Sequence, residues 1–593
     1  MKKWYKYPVL ILMLMFIFLL VGCGQKLGDA NNSDNQPMQQ ENIETASNAD
    51  IDNSLVALNQ QSEKNDAQSK DYMQHMVVSD REEYELSRQD KYRTFYEVFV
   101  YSFFDSNQDG IGDLNGLTNK LDYLNDGDAS TKEDLGITGI WLMPVMPSDT
   151  YHKYDVKDYM DIDESYGTMG DFENLVKECH KRNINVIIDL VMNHTSSKHP
   201  WFMQAKEYLQ QLGDGEPDLV KCPYVDYYHF SKEMKGGYVA LDGTDWYYEA
   251  NFWSEMPDLN LENENVKKEF EAIAAFWLEK DVDGFRLDAI KEFESGNTGY
   301  NVEYLKWFDQ MVSSYYPDAY IVGEAWTDQA EYAKYYESGI DSLFDFEFAD
   351  NDGIIANVLN GKSTAKTFGM SLEKEEDLYV QYSADFVNAP FYTNHDLGRS
   401  AGYYSGDDSE KQTKMAQAMN LLVTGNAFLY YGEEIGMKGA GADENKRLAM
   451  RWSEDSDALG MCKGPKDAKE AKQKYESVEK QLENKASILQ FIRATITLRN
   501  QYPAIAKGKT TCIEELSNDA LCFIKKETED EKLLLIYNLS KENQTVDETE
   551  LIRLCGAAKK AATLVTSDEE IREDGKEIYM PAYSMLLMEL EDK

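Results

Sequence analysis

Eight apolar, β-rich runs alternate with helical segments from Lys91 onward, and this alternation restricts the fold more than any other feature of the sequence. Strands that alternate with helices pair in parallel through right-handed crossovers. Eight such units predict a closed (β/α)8 barrel of the TIM type, an α/β fold whose active site lies at the carboxyl ends of the strands. The predicted strands are 94–101, 137–142, 184–190, 282–287, 320–324, 342–348, 388–393 and 427–431.

Two further regions accompany the predicted barrel, which spans residues 91–505. About 70 residues rich in Tyr, Trp, Gly and Asp separate the third strand from a helix near Glu262. A structureless loop of that length is uncommon in a compact domain, so we expect an inserted subdomain at about 195–255. Short alternating runs after the last barrel helix predict a small antiparallel β-sandwich over 506–593.

The amino terminus has the pattern of an export signal. Three lysines precede an apolar run over residues 9–21, which is too short for a membrane span of ~20 residues but fits the core of a signal peptide. The run ends in Leu-Val-Gly-Cys, which resembles a bacterial lipobox and predicts a lipoprotein signal peptide over 1–23 with lipidation at Cys23. An uncleaved anchor helix is the alternative. Either reading predicts a protein outside the cytoplasm, attached to the bacterial cell membrane.

The segment 24–90 is polar and has no sustained hydrophobic period, so we expect a flexible tether. The net charge of −47 argues against nucleic acid as a partner, because phosphate binding needs clustered Lys and Arg. The seven cysteines form no CxxC pair. Cys512 and Cys522 fall on neighbouring predicted strands, where a disulfide and two free thiols are both open. The sequence leaves the oligomeric state undetermined, and we favour a monomer.

Acidic and basic side chains collect at the ends of four predicted strands. Asp288 lies two residues after Arg286 on the fourth strand, so both side chains face the barrel mouth. The third strand runs into His194, Glu324 ends the fifth strand, and His395 and Asp396 follow the seventh. Any one of these acids alone is more often a helix cap or an ion-pair partner, but four ordered strand ends favour catalysis. Glycoside cleavage requires one carboxyl to protonate the leaving oxygen and one carboxylate opposite, and the sequence leaves retention and inversion both open.

Four segments carry a resemblance to a known family. The segments DLVMNH, GFRLDAIKE, GEAW and TNHD occur in the order and spacing of the α-amylase family, glycoside hydrolase family 13. The resemblance extends from about Lys91 to the carboxyl terminus and implies retention. It implies that Asp288 is the nucleophile, Glu324 the acid/base and Asp396 the third acid, which grips the sugar. The residues that it implies for substrate binding are Tyr154, Asp155, His194, Arg286, Lys291, His395 and Arg399.

Three local features bear on the substrate and on a second metal site. Glu292 follows Lys291 where many α-amylases have a His that helps to build a calcium site, so that site, which would include Asn193, stays open. The phrase Met-Pro-Asp-Leu-Asn at 256–260 resembles the signature of a group intermediate between oligo-1,6-glucosidases and neopullulanases. Ala289 stands where similar α-1,6-specific enzymes tend to carry Val, which favours α-1,4 bonds.

The segment 105–113, DSNQDGIGD, predicts a separate calcium loop. Its oxygen ligands alternate, and its glycines permit a tight turn, as a hard cation such as Ca²⁺ requires. An Asp/Asn-rich turn that caps itself is the alternative. The resemblance implies a structural Ca²⁺ whose ligands are Asp105, Asn107, Asp109, the Ile111 carbonyl and Asp113.

The sequence therefore predicts an extracellular retaining α-amylase that cleaves internal α-1,4-glucosidic bonds of starch and maltooligosaccharides. Neopullulanase, oligo-1,6-glucosidase and 4-α-glucanotransferase activities are alternatives on the same scaffold. A non-catalytic glucan-binding protein is a more remote alternative, because such a protein would lack the acidic triad. Most aromatic residues of the inserted segment are expected to pack its core, with one or two left to contact glucan.

Overall fold

A computed structural model describes residues 81–83, 86–128, 130–469 and 471–591. The predicted signal peptide, Cys23 and most of the predicted tether lie outside these residues. Within the part that is described, none of the helices has the length and apolar character needed to cross a membrane.

Eight parallel strands form the predicted barrel. Each strand pairs with its neighbour in chain order, and the first also pairs with the eighth. A bridge between Phe391, just after the seventh strand, and Phe428 in the eighth closes the ring. The strands are β1 Thr94–Val98, β2 Gly139–Leu142, β3 Asn185–Leu190, β4 Gly284–Leu287, β5 Tyr320–Gly323, β6 Ser342–Asp345, β7 Ala389–Pro390 and β8 Ala427–Tyr430.

Helices between the strands cover the barrel. The helix after β2 begins with a capping box between Thr168 and Asp171 and buries its predicted apolar face. Ser487 caps the helix Ile488–Gln501, because its side chain accepts a hydrogen bond from the Gln490 N–H. The α-helices that accompany the barrel are Leu114–Thr118, Leu121–Leu124, Met169–Lys181, Glu264–Leu278, Thr298–Tyr315, Gln329–Tyr332, Ile354–Leu359, Ala365–Tyr379, Ser409–Leu421, Asp443–Lys446, Val478–Glu483, Ile488–Gln501 and Ala504–Lys507.

Aromatic rings fill the inside of the barrel. Phe95 stacks on Phe428 at 4.7 Å, and Trp141 lies 5.3 Å from Phe344. Gly139 makes room for this layer, because a Cβ at that position would lie 2.5 Å from the Phe95 ring. The barrel interior is therefore a packed core, and the open space lies at the strand ends.

The long connection after β3 forms a small subdomain, as its length predicted. It contains the helix Pro200–Leu212 and a three-stranded antiparallel sheet of Phe230–Ser231, Tyr247–Glu249 and Tyr238–Ala240. Tyr227, Tyr228, Trp246 and Tyr248 are buried in it, whereas Trp253 is 47% exposed.

The MPDLN segment joins this subdomain to the barrel. The Leu259 N–H donates to the Asn193 carbonyl at 2.8 Å, and the Thr195 N–H donates to the Pro257 carbonyl at 3.1 Å. The segment thus runs antiparallel to the residues that follow β3 and fixes one wall of the barrel mouth.

Antiparallel sheets form the carboxyl-terminal part of the protein. Cys512 and Cys522 lie on paired strands, are buried, and are both free thiols. A helix, Glu548–Cys555, connects the two sheets. The larger sheet has the order Lys509–Cys512, Leu521–Glu527, Lys532–Asn538, Ser584–Leu590 and Ala558–Val565, and the smaller has the order Gln544–Asp547, Glu577–Met580 and Arg572–Asp574.

Candidate active site

Arg286 joins three carboxylates at the carboxyl ends of the strands. Its side chain is 0% exposed, and its Nη1 atom donates to Asp288 Oδ1 at 2.6 Å and to Asp189 Oδ1 at 2.9 Å. Its Nη2 atom lies 2.9 Å from Glu324 Oε2. The predicted nucleophile and acid/base are therefore held by one guanidinium, which belongs to β4, the strand between β3 and β5.

Glu324 is also fixed by the backbone of the fourth strand end. Its Oε2 atom accepts a hydrogen bond from the Ala289 N–H at 3.2 Å. Ala289 has a φ of +45°, a left-handed conformation that disfavours β-branched side chains. The small residue after Asp288 therefore allows the turn that carries this N–H.

A second network surrounds His395. Its Nδ1 atom lies 2.6 Å from Glu97 Oε1, and its Nε2 atom lies 2.8 Å from the Tyr154 hydroxyl and 3.0 Å from Asp396 Oδ2. The Tyr154 hydroxyl also donates to Asp189 Oδ2 at 3.0 Å. Tyr154 and His395 thereby connect the Arg286 cluster to Asp396.

Asp396 has a cationic partner that the sequence did not reveal. Arg447 Nη2 donates to Asp396 Oδ1 at 3.0 Å, and its Nε atom donates to the His395 carbonyl at 3.2 Å. Lys446 Nζ donates to the Asp396 carbonyl at 2.7 Å. Both residues lie in the segment after β8, in which no site residue was predicted, and only the folded chain shows the pairing with Asp396.

Burial and neighbouring charges separate the pKa values of these acids. Burial, with added repulsion from Asp288 and Asp396, raises the pKa of Glu324 to about 7 against the opposing effect of Arg286. Burial alone would also raise the pKa of Asp396, but His395 and Arg447 hold it well below its usual range. The site thus contains a carboxyl that is partly protonated near neutrality beside one that stays ionised.

His395 carries a positive charge beside the Asp396 carboxylate. Burial would lower the pKa of His395, but Asp396 and Glu97 raise it to about 9. The imidazole is therefore protonated at neutral pH and donates from both ring nitrogens. Glu97 lies within β1 and contacts His395, and Asp189 lies within β3 and contacts Arg286. No role was predicted for either residue from the sequence.

The other side chains predicted to contact the sugar differ in whether their polar atoms already have hydrogen-bond partners. His194 is buried, and its Nε2 atom has no hydrogen-bond partner among the described residues. Asp155 accepts hydrogen bonds from Thr150 and, at 2.5 Å, from Ser148. Lys291 extends toward solvent, where its Nζ atom lies 3.4 Å from the Trp326 carbonyl.

Arg399, predicted to contact the sugar, lines a groove beside Asp396 and also bonds to the main chain. Its side chain is completely buried, and its Nη1 atom donates to the Tyr431 carbonyl at 2.6 Å. Its Nε atom donates to the Lys446 carbonyl at 3.0 Å. Arg399 therefore holds the loop after β8 in place through two of its nitrogens, while its Nη2 atom has no hydrogen-bond partner among the described residues.

The predicted calcium loop lies away from these acids and binds its own backbone. Asp105 Oδ1 accepts from the Gln108 N–H at 2.6 Å, and Asp109 Oδ1 accepts from the Ile111 N–H at 2.8 Å. Asp113 caps the helix Leu114–Thr118 through the Gly116 N–H at 2.8 Å. Across the described ranges, no group of three or more His, Cys, Asp or Glu side chains is placed to hold a metal ion.

The donors of this loop nevertheless fit Ca²⁺ chemically. They are all hard oxygens, and an oxygen that accepts one N–H retains a lone pair for a cation. Asn107 Oδ1, for example, accepts only the Asp109 N–H among the contacts of this loop, at 2.9 Å.

Comparison with known proteins shows the family to which the chain belongs. A family model described as alpha amylase, catalytic domain, matches residues 97–508. Alpha-amylase 3 of Dictyoglomus thermophilum is 38% identical over 456 residues, covering 76% of this chain and 85% of that protein. An oligo-1,6-glucosidase of Heyndrickxia coagulans is 29% identical, covering 76% of this chain and 92% of that protein.

Solved structures give the same result. The structure described as Eubacterium rectale Amy13B is 51% identical, with a TM-score of 0.82, and the match covers 87% of this chain and 98% of that one. An alpha-amylase structure from H. orenii is 35% identical with a TM-score of 0.74, covering 85% and 100%. The chain is therefore a glycoside hydrolase that belongs to the α-amylase family, glycoside hydrolase family 13.

Proposed function

We propose that this protein is an extracellular retaining α-amylase that cleaves internal α-1,4-glucosidic bonds of starch and maltooligosaccharides. The observation that carries the proposal is the fork of Arg286, which holds Asp288 and Glu324 together beside Asp396. The relatives named alpha-amylase support the bond type, and Ala289 supports it further.

The first chemical step uses the two acids that share Arg286. Asp288 attacks the anomeric carbon and forms a glycosyl-ester bond, while Glu324 transfers its proton to the departing glycosidic oxygen. The raised pKa of Glu324 supports this role, because a carboxyl with a pKa of about 7 is partly protonated near neutral pH and can act as a general acid there.

The second step releases the sugar. Glu324, now ionised, takes a proton from a water molecule, whose oxygen attacks the anomeric carbon and expels Asp288 as a carboxylate. Asp396 binds two hydroxyls of the cleaved unit, and the unpartnered Nε2 atom of His194 supplies a further contact. A sugar hydroxyl in place of water would give transglycosylation.

A panel of four substrates tests the bond type. The full chain is incubated with soluble starch, pullulan, isomaltose and maltotriose, and the products are followed over time. We expect mixed maltooligosaccharides from starch, with no panose from pullulan and no glucose from isomaltose. Intact starch beside rapid cleavage of isomaltose would overturn the α-amylase and favour the oligo-1,6-glucosidase, which the 29% identical relatives support as the second candidate.

Substitution of the two acids tests the mechanism. Asp288→Asn and Glu324→Gln should each reduce turnover by about 10⁴-fold or more, because each removes a group that acts only in the reaction. Circular dichroism checks that the variants stay folded. Near-full activity of either variant would contradict the assigned roles.

We also propose a structural Ca²⁺ held by Asp105, Asn107, Asp109, the Ile111 carbonyl and Asp113. The all-oxygen donor set supports it. It would neutralise the carboxylates of a loop that precedes the first barrel helix, and no step of the reaction passes through it.

We further propose that the mature protein is a monomer anchored to the outer face of the bacterial cell membrane through lipidated Cys23. The lipobox-like sequence before Cys23 supports this assignment. Mass spectrometry of the native amino-terminal peptide should show a lipidated cysteine, and Cys23→Ser should release the protein from the membrane fraction.

A further inference from the structure

Glu97 is a buried carboxylate inside the first barrel strand. It lies two residues after Phe95, whose ring belongs to the aromatic core of the barrel, so both side chains point to the barrel interior. The Glu97 side chain is 1% exposed. Because transfer of a carboxylate out of water is costly, a carboxylate at this depth requires a partner that compensates its charge.

That partner is His395 at the end of the seventh strand. Its Nδ1 atom lies 2.6 Å from Glu97 Oε1, and the imidazole is also 1% exposed. Burial raises the pKa of Glu97, and the charge of His395 opposes this effect. The pair thus connects the barrel core to the residue that precedes Asp396.

The imidazole of His395 meets acceptors at both of its nitrogens. Glu97 faces Nδ1, and Asp396 Oδ2 lies 3.0 Å from Nε2. The Tyr154 hydroxyl, 2.8 Å from Nε2, gives its own proton to Asp189 and therefore presents a lone pair to the ring. A neutral imidazole has one N–H, so it would place a lone pair against one of these acceptors. The doubly protonated ring satisfies all of them.

Aromatic contacts and Glu97 restrict the imidazole in different ways. The Tyr154 ring stacks on it at 5.5 Å and 19°, and the Trp141 ring meets it edge-on at 5.7 Å. Stacking fixes the plane of the imidazole, but a ring turned over by 180° keeps the same plane and exchanges nitrogen for carbon. The Glu97 contact at Nδ1 favours the orientation that directs Nε2–H at Asp396.

Charged groups from several strands surround the pair of Glu97 and His395. Among the described residues, Glu97 and Asp396 are the carboxylates in direct contact with the ring, so loss of the Glu97 charge removes one of its two anionic contacts. The charged groups around the pair are Asp189 on β3, Arg286 on β4, Glu324 after β5, Asp396 after β7 and Arg447 after β8.

We propose that Glu97 is a positioning residue of this hydrolase, which keeps His395 doubly protonated and its Nε2–H directed at Asp396. Glu97 acts through His395 and does not touch the sugar. The inference rests on the proposed function, in which Asp396 grips the sugar, and deepens it. The imidazolium holds the Asp396 carboxylate ionised and in one orientation, so it supports the contact of Asp396 with the sugar as the ring distorts toward the transition state.

An NMR titration of His395 tests the charge of the imidazole directly. The full chain is labelled with ¹³C at the histidine Cε1 positions, and the signal of His395, one of seven histidines, is assigned by its loss in His395→Gln. In the wild type, His395 should titrate with a pKa of about 9. Glu97→Gln keeps an acceptor for Nδ1–H but removes the charge, so the pKa of His395 should fall to about 7–8.

Steady-state kinetics on maltoheptaose tests the consequence for turnover. At about pH 8, Glu97→Gln should lose about tenfold in kcat with little change in KM, because the contact matters in the transition state. At about pH 6 the imidazole of this variant is protonated again, and its kcat should approach that of the wild type. The pH at which the ratio of the two kcat values falls should match the pKa of His395 measured in the same variant.

Asp345→Asn is the matched control, because Asp345 is also a buried carboxylate of a barrel strand and accepts a hydrogen bond from Asn388 at 3.0 Å. This control should lower the melting temperature without changing the pKa of His395 or the pH dependence of kcat. Glu97→Asp keeps the negative charge and should therefore hold the pKa of His395 above its value in Glu97→Gln.

Equal pKa values of His395 in the wild type and in Glu97→Gln would overturn the proposal, and so would a loss of kcat that is the same at every pH. If Glu97→Gln fails to fold, the wild type decides, because a His395 that titrates near the ordinary pKa of about 6.5 contradicts the proposal. If the chain cleaves isomaltose and leaves starch intact, the bond assignment is wrong. The kcat ratio is then measured on isomaltose, and the NMR titration needs no substrate.

Discussion

At the residue scale, the contacts of Arg447 show how the third acid is oriented. Arg447 bonds to the Asp396 carboxylate and to the His395 carbonyl, so it fixes both residues of the seventh strand end. It touches Asp396 and not the predicted nucleophile, and it therefore acts as a positioning residue. Removal of one partner of a buried charged hydrogen bond typically costs about 2–5 kcal/mol.

Arg447→Ala should reduce kcat/KM about 100-fold, because Asp396 then loses its orientation in the transition state. Arg447→Lys should recover part of this loss. Lysine restores the positive charge but lacks the guanidinium that donates to both Asp396 and the His395 carbonyl. Steady-state kinetics on maltoheptaose measures both variants. A rise in KM with unchanged kcat would show instead that Arg447 only contributes to uniform substrate binding.

The pKa of Glu324 predicts the alkaline limb of the pH profile. Glu324 must be protonated to act as the acid, and its pKa is about 7, so kcat/KM should fall as the pH rises through 7. Asp396 contributes to the raised pKa through its negative charge. Asp396→Asn should therefore move the alkaline limb to lower pH, whatever its effect on the maximal rate.

The pH dependence of kcat/KM for both proteins, measured at constant ionic strength, provides this test. An alkaline limb that stays in place in Asp396→Asn would mean that another group controls it. A limb several units above 7 in the wild type would contradict the role of Glu324 as the acid.

At the scale of helices and strands, the sequence predicted the barrel correctly but predicted the first and last residues of the strands less accurately. Buried parallel strands form nearly continuous apolar runs, so all eight strands appear where the sequence placed them. The first predicted strand, 94–101, ends at Val98, because residues Val100–Ser102 form a 3₁₀ turn. The seventh, predicted over 388–393, is reduced to Ala389–Pro390, since Pro390 has no N–H to donate.

Some residues of the candidate site could be predicted from the sequence, and others could not. Residues at strand ends, such as Asp288 and Glu324, could be located because the barrel topology brings strand ends together. Arg447 lies in the irregular segment after β8, and only the folded chain shows its pairing with Asp396. Arg399 was predicted as a sugar contact, but local sequence does not reveal that its guanidinium also bonds to main-chain carbonyls of the segment after β8.

The loop 105–113 provides a prediction at the same scale. If it binds Ca²⁺, EDTA should lower the melting temperature by about 3 °C relative to saturating Ca²⁺, because a ligand that binds only the folded state stabilises it. Asp109→Asn is the matched variant, since it keeps an acceptor for the Ile111 N–H but removes a negative charge.

Differential scanning calorimetry across a Ca²⁺ titration distinguishes the two interpretations of the loop, a Ca²⁺ site and a turn that caps itself. Asp109→Asn should need a higher Ca²⁺ concentration to reach the same melting temperature. Identical melting of the wild type in EDTA and in Ca²⁺ would show that the loop is held by its own hydrogen bonds alone.

At the scale of the whole molecule, the ordered body starts before the boundary predicted at Lys91. Arg88 donates to Asp283 Oδ1 at 2.6 Å, and its carbonyl accepts from Asn185 Nδ2 at 3.0 Å. Asp283 also accepts from the Val186 N–H at 2.7 Å. Arg88 therefore contacts the amino-terminal ends of β3 and β4, at the opposite face of the barrel from the predicted reaction centre.

Because Arg88 contacts the amino-terminal ends of the strands, its contacts should affect the stability of the protein and not its kcat. A chain that starts at Lys91 should be less stable than one that starts at Arg81, by about 3–5 kcal/mol, because the partners of the described residues between Arg81 and Asp90 lose their hydrogen bonds. The melting temperature should fall by about 3–5 °C. The two proteins should have the same kcat on maltoheptaose at 25 °C, since the face that Arg88 contacts serves stability and the chemistry lies at the other end of the strands.

Arg88→Ala in the longer chain isolates one contact of this set. It should account for about 1–2 kcal/mol of the difference, because His180 still bonds to Asp283 Oδ2 at 2.8 Å after the arginine is removed. Equal melting temperatures of the two chains would mean that the residues before Lys91 add no stability to the body. A parallel loss of kcat would mean that the two ends of the barrel are coupled, since a purely local loss of stability leaves the strand ends that carry Asp288 and Glu324 unchanged.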